Sequence, residues 1–136
     1  MSIVVDASVL VAATTDAGRE GVWAEQVLAE GGIVAPHLAL VEATNILRRL
    51  ERSRELTRLE ATAAQRDLIR PEIELLPFEP FAARVWELRA NVTSYDAWYV
   101  AIAEAFGVPL ATLDRRLARA SGPSCTFVTP DGASSG

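Results

Sequence analysis

Short runs of apolar residues alternate along this chain with stretches in which apolar residues recur every three or four positions. The runs are typical of buried strands, and the longer spacing is typical of helices with one buried face. Strands are predicted at residues 3–5, 33–35, 73–77, 108–112 and 126–128. Helices are predicted at residues 22–29, 57–70, 81–90, 93–106 and 115–120, with a short helix after Asp6 and a long one beginning at Pro36.

The alternation of strands and helices predicts an α/β fold, a three-layer sandwich with a central parallel sheet of about four to five strands flanked by helices. The first strand, Ile3-Val4-Val5, consists of three β-branched residues, which is typical of a central strand that is buried on both faces. It ends at Asp6. Because open α/β sheets bind ligands at the carboxyl ends of their central strands, Asp6 marks the expected site.

Signals at helix ends support these assignments. Proline is favoured at a first helical position, which predicts that Pro36 opens its helix. Thr57 and Glu60 have the spacing of a capping box, and Gly107 is placed to end the helix before it. The helices on either side of Thr57 are expected to form a hairpin whose arginine-rich outer face is a candidate surface for a partner.

The composition predicts one domain with a sizeable core, because the chain has 136 residues and half of them are hydrophobic. We assign the domain to residues 1–129 and expect a flexible tail at residues 130–136. No run of 18 apolar residues and no basic leader is present, which predicts a cytoplasmic protein without a membrane span. Cys125 is the single cysteine, in agreement with a reducing compartment.

The charge pattern excludes several mechanisms. The net charge is −5, which argues against a general phosphate-binding surface. Every basic side chain apart from one histidine is an arginine, and lysine is absent from the sequence. A P-loop and any Schiff-base chemistry are therefore excluded, because both need a lysine.

Four carboxylates are predicted to share one cleft. Asp6 and Asp114 each follow a buried strand, Asp96 lies in the first turn of a helix, and Glu42 lies toward the N-terminal half of another. The first turns of such helices point toward the carboxyl edge of the sheet. Converging carboxylates can hold Mg²⁺, which prefers oxygen ligands, and like charges at close range raise each other's pKa.

Each acid also has a structural explanation. Asp96 fits a capping box with Thr93, Asp6 and Asp114 fit the N-cap position of the helices that follow them, and Glu42 fits a solvated helix position. Taken singly, these explanations are at least as good as a shared site. Four acids at matching positions favour the shared site.

Other polar residues add less. Ser8 lacks a histidine partner, so a hydrogen bond to Asp6 is a better explanation than a nucleophilic role. The lone His37 fits the surface, and without a second histidine or clustered cysteines no zinc site is expected. Arg115 and Arg116 fit either contacts with substrate phosphates or a solvated helix face.

Four segments in this order, residues 4–8, 42–47, 94–103 and 110–117, resemble PIN-domain ribonucleases, in particular the VapC toxins of bacterial toxin–antitoxin pairs. The resemblance extends from Ile3 to about Val128. It implies a PIN-like fold and a quartet of catalytic, metal-binding acids, supported by a hydroxyl near the first acid, a helix asparagine and a strand-end hydroxyl. These positions are Asp6, Glu42, Asp96 and Asp114 for the quartet, and Ser8, Asn45 and Thr112 for the support.

The resemblance implies an endoribonuclease that depends on Mg²⁺ or Mn²⁺ and leaves 5′-phosphate and 3′-hydroxyl ends. It also implies a growth-inhibiting toxin that forms a homodimer and is neutralised by a cognate VapB-type antitoxin, with Arg49 as a candidate antitoxin contact. A catalytically silent interaction module on the same fold is the alternative. Phosphatases of the haloacid-dehalogenase kind and response-regulator receivers fit less well, because both use a lysine.

Overall fold

A single mixed sheet forms the centre of the protein. The structure is a computed structural model, which describes residues 1–135. The strand order is β3-β2-β1-β4-β5-β6, with all neighbours parallel except β5 and β6. The strands are β1 (Ile3–Val5), β2 (Ile33–Pro36), β3 (Ile73–Leu76), β4 (Leu110–Ala111), β5 (Thr126–Thr129) and β6 (Gly132–Ser135). The α/β fold with a central sheet is confirmed, but the described residues form six strands rather than four to five.

The first strand is central, as the sequence predicts. Val4 pairs with Val34 of β2 on one side and with Leu110 of β4 on the other. Val4 and Val5 are fully buried, because helices cover both faces of the sheet there. The carboxyl ends of β1 and β4 therefore lie side by side, and each leads directly into a helix.

Seven α-helices flank the sheet in the described part of the chain. They are α1 (Ala7–Thr15), α2 (Arg19–Ala29), α3 (Ala39–Arg52), α4 (Arg58–Leu68), α5 (Ala82–Glu87), α6 (Ser94–Phe106) and α7 (Arg115–Ala118). Helix α1 packs against α2, α3 and α4, while α6 packs against α5 and three of the central strands. Residues 97–103 of α6 are all buried, so this helix is enclosed on every side. None of these helices is long and apolar enough to cross a membrane.

The helix-end predictions have mixed outcomes. The capping box is confirmed, since Thr57 and Glu60 exchange the two expected hydrogen bonds at 2.9 and 3.1 Å. Pro36 does not open a helix; it is the last residue of β2, opposite Leu76, and α3 begins at Ala39. Proline restricts the residue before it to extended backbone, which favours the strand here. Helices α5 and α7 are also shorter than predicted.

The predicted flexible tail is wrong for most of its length. Gly132–Ser135 forms β6, antiparallel to β5, and Thr129 pairs with Gly132 across the turn. Gly132 has a φ of +128°, a conformation that other residues rarely adopt. The backbone N–H of Asp131 donates to the Thr129 hydroxyl, which fixes the turn. Proline, aspartate and glycine in succession are strong turn formers, and here they close a hairpin. Residue 136 lies outside the described residues.

Candidate active site

Asp6 is the most buried of the four predicted acids, with 7% of its surface exposed. It follows β1 and caps α1, where its Oδ1 accepts from the backbone N–H groups of Ser8 and Val9 at 3.1 and 3.3 Å. The Ser8 hydroxyl also donates to Oδ1, and the Thr112 hydroxyl donates to Oδ2. The N-cap explanation is therefore correct for Asp6, and it coexists with a buried, polar site.

Hydroxyl groups connect Asp6 to the end of the neighbouring strand. The Ser8 Oγ accepts from the backbone N–H of Leu113 at 3.1 Å, and the Thr112 Oγ1 accepts from that of Asp114 at 2.9 Å. Thr112 is fully buried. Both hydroxyls predicted to support the first acid thus lie in contact with it, and they fix the ends of β1 and β4 relative to each other.

Asp96 lies at the centre of the acids. It is half-buried in the first turn of α6, and its backbone N–H donates to the Thr93 hydroxyl at 3.2 Å. Burial raises the pKa of its carboxyl, and the negative charge of Asp114 raises it further. The charge of Asp96 in turn raises the pKa values of Asp6 and Glu42. These couplings define the acid cluster, which consists of Asp6, Glu42, Asp96 and Asp114.

Among the four acids, Asp6 has the most definite shift in pKa. Burial raises its pKa from 3.8 to about 6, although the hydrogen bonds from Ser8, Thr112 and Val9 oppose this change. The adjacent charge of Asp96 acts in the same direction as burial. The cluster therefore holds its negative charge at a cost when no cation is present.

Asp114 occupies the open side of the cluster. It caps α7, accepting from the backbone N–H groups of Arg116 and Leu117 at 3.0 and 3.2 Å, and it is exposed. With Asp96 it lines a cleft of about 410 Å³, here named the outer cleft. The other polar side chains of the outer cleft are Asn91, Thr93 and Arg116.

Glu42 reaches the cluster from the first turn of α3. The hydroxyl of Tyr99 donates to its Oε1 at 2.8 Å, and burial together with the charge of Asp96 raises its pKa. Glu42 also lines a groove of about 550 Å³ between α3 and α6, here named the α3–α6 groove, with Asn45, Arg49 and Tyr95. Asn45 and Arg49 are exposed there, so the predicted support residue and antitoxin contact lie on one surface.

The donor set consists only of carboxylate oxygens, the ligands that hard divalent cations prefer, and their mutual repulsion is of the kind a cation relieves. No three acidic, histidine or cysteine side chains within residues 1–135 form a ready-made metal site. Both oxygens of Asp6 accept hydrogen bonds, Oδ1 from Ser8 and Val9 and Oδ2 from Thr112. The cluster fits a cation in its chemistry and charge.

A family model for the PIN domain matches residues 3–123. The chain belongs to the PIN domain family. Ribonuclease VapC1 of Mycobacterium tuberculosis is 41% identical to it over 131 residues, covering 90% of this chain and 92% of the relative. Ribonuclease VapC9 of the same species is 37% identical over 123 residues, covering 90% and 94%. The resemblance to VapC-type PIN proteins is thereby confirmed.

Solved structures agree with the PIN fold. PAE2754 from Pyrobaculum aerophilum superposes with a TM-score of 0.65 at 25% identity, covering 87% of this chain and 84% of that one. VapBC2 from Rickettsia felis, solved with a DNA fragment from its promoter, gives a TM-score of 0.66 at 15% identity, covering 95% and 98%. VapC20 of Mycobacterium tuberculosis, described as a toxin that cleaves the sarcin–ricin loop, gives 0.59 at 17%, covering 80% and 87%.

The two arginines of this PIN domain that were predicted to hold phosphates differ in their surroundings. Arg115 forms ion pairs with Glu20 at 3.2 Å and Asp131 at 2.9 Å, which join α2, α7 and the β5–β6 turn. Arg116 is exposed and lines the outer cleft beside Asp114. This placement favours Arg116 as a phosphate contact, because the guanidinium of Arg115 already has carboxylate partners.

Tyr99 is the residue at this site that the sequence analysis missed. Its position, three residues after Asp96, places both side chains on one face of α6. In the sequence it resembles one more apolar residue of a buried stripe. The available signal was its hydroxyl, since a buried tyrosine usually needs a hydrogen-bond partner.

Proposed function

We propose that this protein is a metal-dependent endoribonuclease, and that it acts as the toxin of a toxin–antitoxin pair. The single observation that carries the proposal is the convergence of acids at the carboxyl edge of the sheet, where Thr112 contacts both the Asp6 carboxylate and the backbone of Asp114, and Asp114 and Asp96 line one cleft. Relatives at 37–41% identity that are named ribonucleases support the reaction class.

The acid cluster would bind Mg²⁺ or Mn²⁺ through Asp6 and Asp96, with Asp114 and Glu42 as direct or water-mediated ligands. The bound cation would supply an activated water and stabilise the charge that develops on the phosphate. Attack by water rather than by the ribose 2′-hydroxyl would leave 5′-phosphate and 3′-hydroxyl ends.

The chain's own residues prepare this chemistry. Ser8 and Thr112 hold the Asp6 carboxylate in one orientation, which lowers the entropy cost of assembling the site. The outer cleft offers the open side to the RNA, and Arg116 is placed there to contact a phosphate next to the scissile one. With a net charge of −5, RNA affinity away from this cleft is expected to be weak.

The proposed protein partners are a VapB-type antitoxin and a second copy of the chain. Leu38 and Val41 of the α3–α6 groove are 40% and 62% exposed, an apolar surface suited to a protein partner. Arg49 lies in the same groove and would pair with an acidic group of the antitoxin. Two structural neighbours were solved with DNA, VapBC2 with a fragment from its promoter and FitAB with an IR36 fragment, and their similarity to this chain supports the fold alone. A cytoplasmic location agrees with these partners.

The test is to incubate the purified chain with total bacterial RNA in Mg²⁺, in Mn²⁺ and in EDTA, and to map the new 5′ ends by ligation that requires a 5′-phosphate. We expect ligatable ends with either metal and none in EDTA, and no cleavage by Asp96→Asn. Expression should arrest growth, and co-expression with the protein encoded by the neighbouring gene should restore it. A folded wild-type chain that cuts no RNA in either metal would favour the catalytically silent interaction module.

A further inference from the structure

The four carboxylates of the acid cluster are not held in the same way. Asp6 and Asp114 each accept two backbone N–H groups as helix caps, and Asp96 is fixed in the first turn of α6 by the hydrogen bond from its backbone N–H to the Thr93 hydroxyl. Glu42 has no such cap. In the described residues, the one hydrogen bond that reaches its carboxylate comes from the hydroxyl of Tyr99, at 2.8 Å.

Glu42 also has the most flexible side chain of the four acids. A glutamate side chain has one more rotatable bond than an aspartate, and fixing it costs more conformational entropy. Glu42 lies on α3, 54 positions before Asp96 of α6 in sequence. A hydrogen bond from α6 is therefore a direct way to fix this carboxylate relative to the other three.

The surroundings of Tyr99 suit it to fix the Glu42 carboxylate. Its side chain is 1% exposed, so the ring is packed in the core and the hydroxyl has little freedom. Its hydroxyl is uncharged at neutral pH, as is usual for tyrosine, and it donates to the Glu42 Oε1. Tyr99 thus provides a neutral donor among three carboxylates, where a cationic donor would compete with a bound cation.

We propose that Tyr99 is a positioning residue that holds the Glu42 carboxylate in the acid cluster through the 2.8 Å hydrogen bond from its hydroxyl. This inference rests on the proposed metal-dependent nuclease activity. It assigns no contact between Tyr99 and the RNA. The effect of Tyr99 on cation binding and on turnover is exerted through Glu42 alone.

The experiment compares Tyr99→Phe with wild type in the full chain, measuring Mn²⁺ affinity by calorimetry without RNA, and kcat and KM for RNA cleavage. We expect Tyr99→Phe to weaken Mn²⁺ binding and lower kcat by about tenfold, the lower end for residues that orient metal ligands, with KM unchanged. The matched control is Ser124→Ala, which removes a hydroxyl that donates to another glutamate, Glu104, at 3.0 Å. This control should leave both quantities unchanged.

A double-mutant cycle separates positioning from a structural role. In a Glu42→Gln background, Tyr99→Phe should cause no further loss of Mn²⁺ affinity or kcat. An equal loss in both backgrounds, or a fall in melting temperature with unchanged Mn²⁺ affinity, would overturn the proposal and leave Tyr99 as a core residue. A wild-type chain that neither binds Mn²⁺ nor cuts RNA would instead refute the proposed function, and this inference with it.

Discussion

The acid cluster has an aspartate at its inner end, Asp6, and another at its outer end, Asp114, and the two have different surroundings. Asp6 and Asp114 both follow a parallel strand and both cap the next helix. Asp6 is buried and accepts hydrogen bonds from two hydroxyls, whereas Asp114 is exposed in the outer cleft beside Arg116. Equivalent positions in the fold therefore provide two environments, one with a fixed, buried carboxylate and one with an accessible carboxylate.

The difference arises from the neighbouring strands. Thr112, at the end of β4, donates its hydroxyl to Asp6 and accepts from the backbone N–H of Asp114. A single side chain thereby ties the inner acid to the start of α7 while the outer carboxylate remains at the surface. The inner end should respond to mutation through charge and burial, and the outer end through contacts with RNA.

The largest effect is expected at the inner end. Asp6→Asn should reduce RNA cleavage at least about 100-fold, because it removes a proposed metal ligand. The same change should alter the stability of the metal-free protein little, because asparagine can still cap α1 and buries no charge, but its amide N–H cannot accept the hydrogen bond from the Thr112 hydroxyl. Activity and melting temperature are measured on one sample. The control is Asp67→Asn, because the Asp67 carboxylate lies on α4 and forms an ion pair with Arg70. A loss of both activity and stability would mean that Asp6 has only a structural role.

The second-largest effect is a pH dependence of the free energy of unfolding that arises from Asp6. Burial raises the pKa of Asp6 from 3.8 to about 6, so the folded state binds its proton more tightly than the unfolded state. The stability from this group is complete below about pH 4 and is lost as pH rises through about 6, by about 3 kcal/mol. Urea unfolding of metal-free wild type between pH 4 and pH 7 should show the loss. Asp6→Asn should lack this component, and identical pH profiles would contradict the shift.

The sequence was sufficient to predict the position of Asp6 in the fold, but it was insufficient to predict the contacts of Tyr99 and Arg115. The β-branched run before Asp6 placed this acid at the centre of the sheet, because three such residues fit a strand buried on both faces. The role of Tyr99 depends on a contact between residues 57 positions apart, which no local pattern encodes. The same holds for Arg115, whose partners Glu20 and Asp131 lie on distant elements. The β6 strand was missed because its residues, glycine, alanine and two serines, include no β-branched or large apolar side chain of the kind that predicts a strand.

The third effect tests the outer end. Arg116→Ala should raise KM for RNA by about tenfold, since a charge-assisted contact with a phosphate is lost, and leave kcat and the melting temperature unchanged. The slope of log affinity against log salt should fall in magnitude by about 0.7, the value for one phosphate contact on a single strand. Binding is measured by fluorescence anisotropy with an RNA oligonucleotide in EDTA. An unchanged salt slope would show that Arg116 faces solvent.

The smallest effect is expected at Arg115, and it separates two adjacent arginines. Arg115→Ala removes the ion pairs with Glu20 and Asp131, which join α2, α7 and the β5–β6 turn. These side chains are 41–55% exposed, and ion pairs between exposed groups contribute little to folding, so the melting temperature should fall by a few degrees at most. High salt should reduce the difference from wild type, because it screens the pairs in both proteins. The salt slope of RNA binding should equal that of wild type. If Arg115→Ala weakens RNA binding as much as Arg116→Ala does, phosphate recognition extends beyond the outer cleft to the β5–β6 turn. The outer cleft would then not be the only surface that contacts RNA.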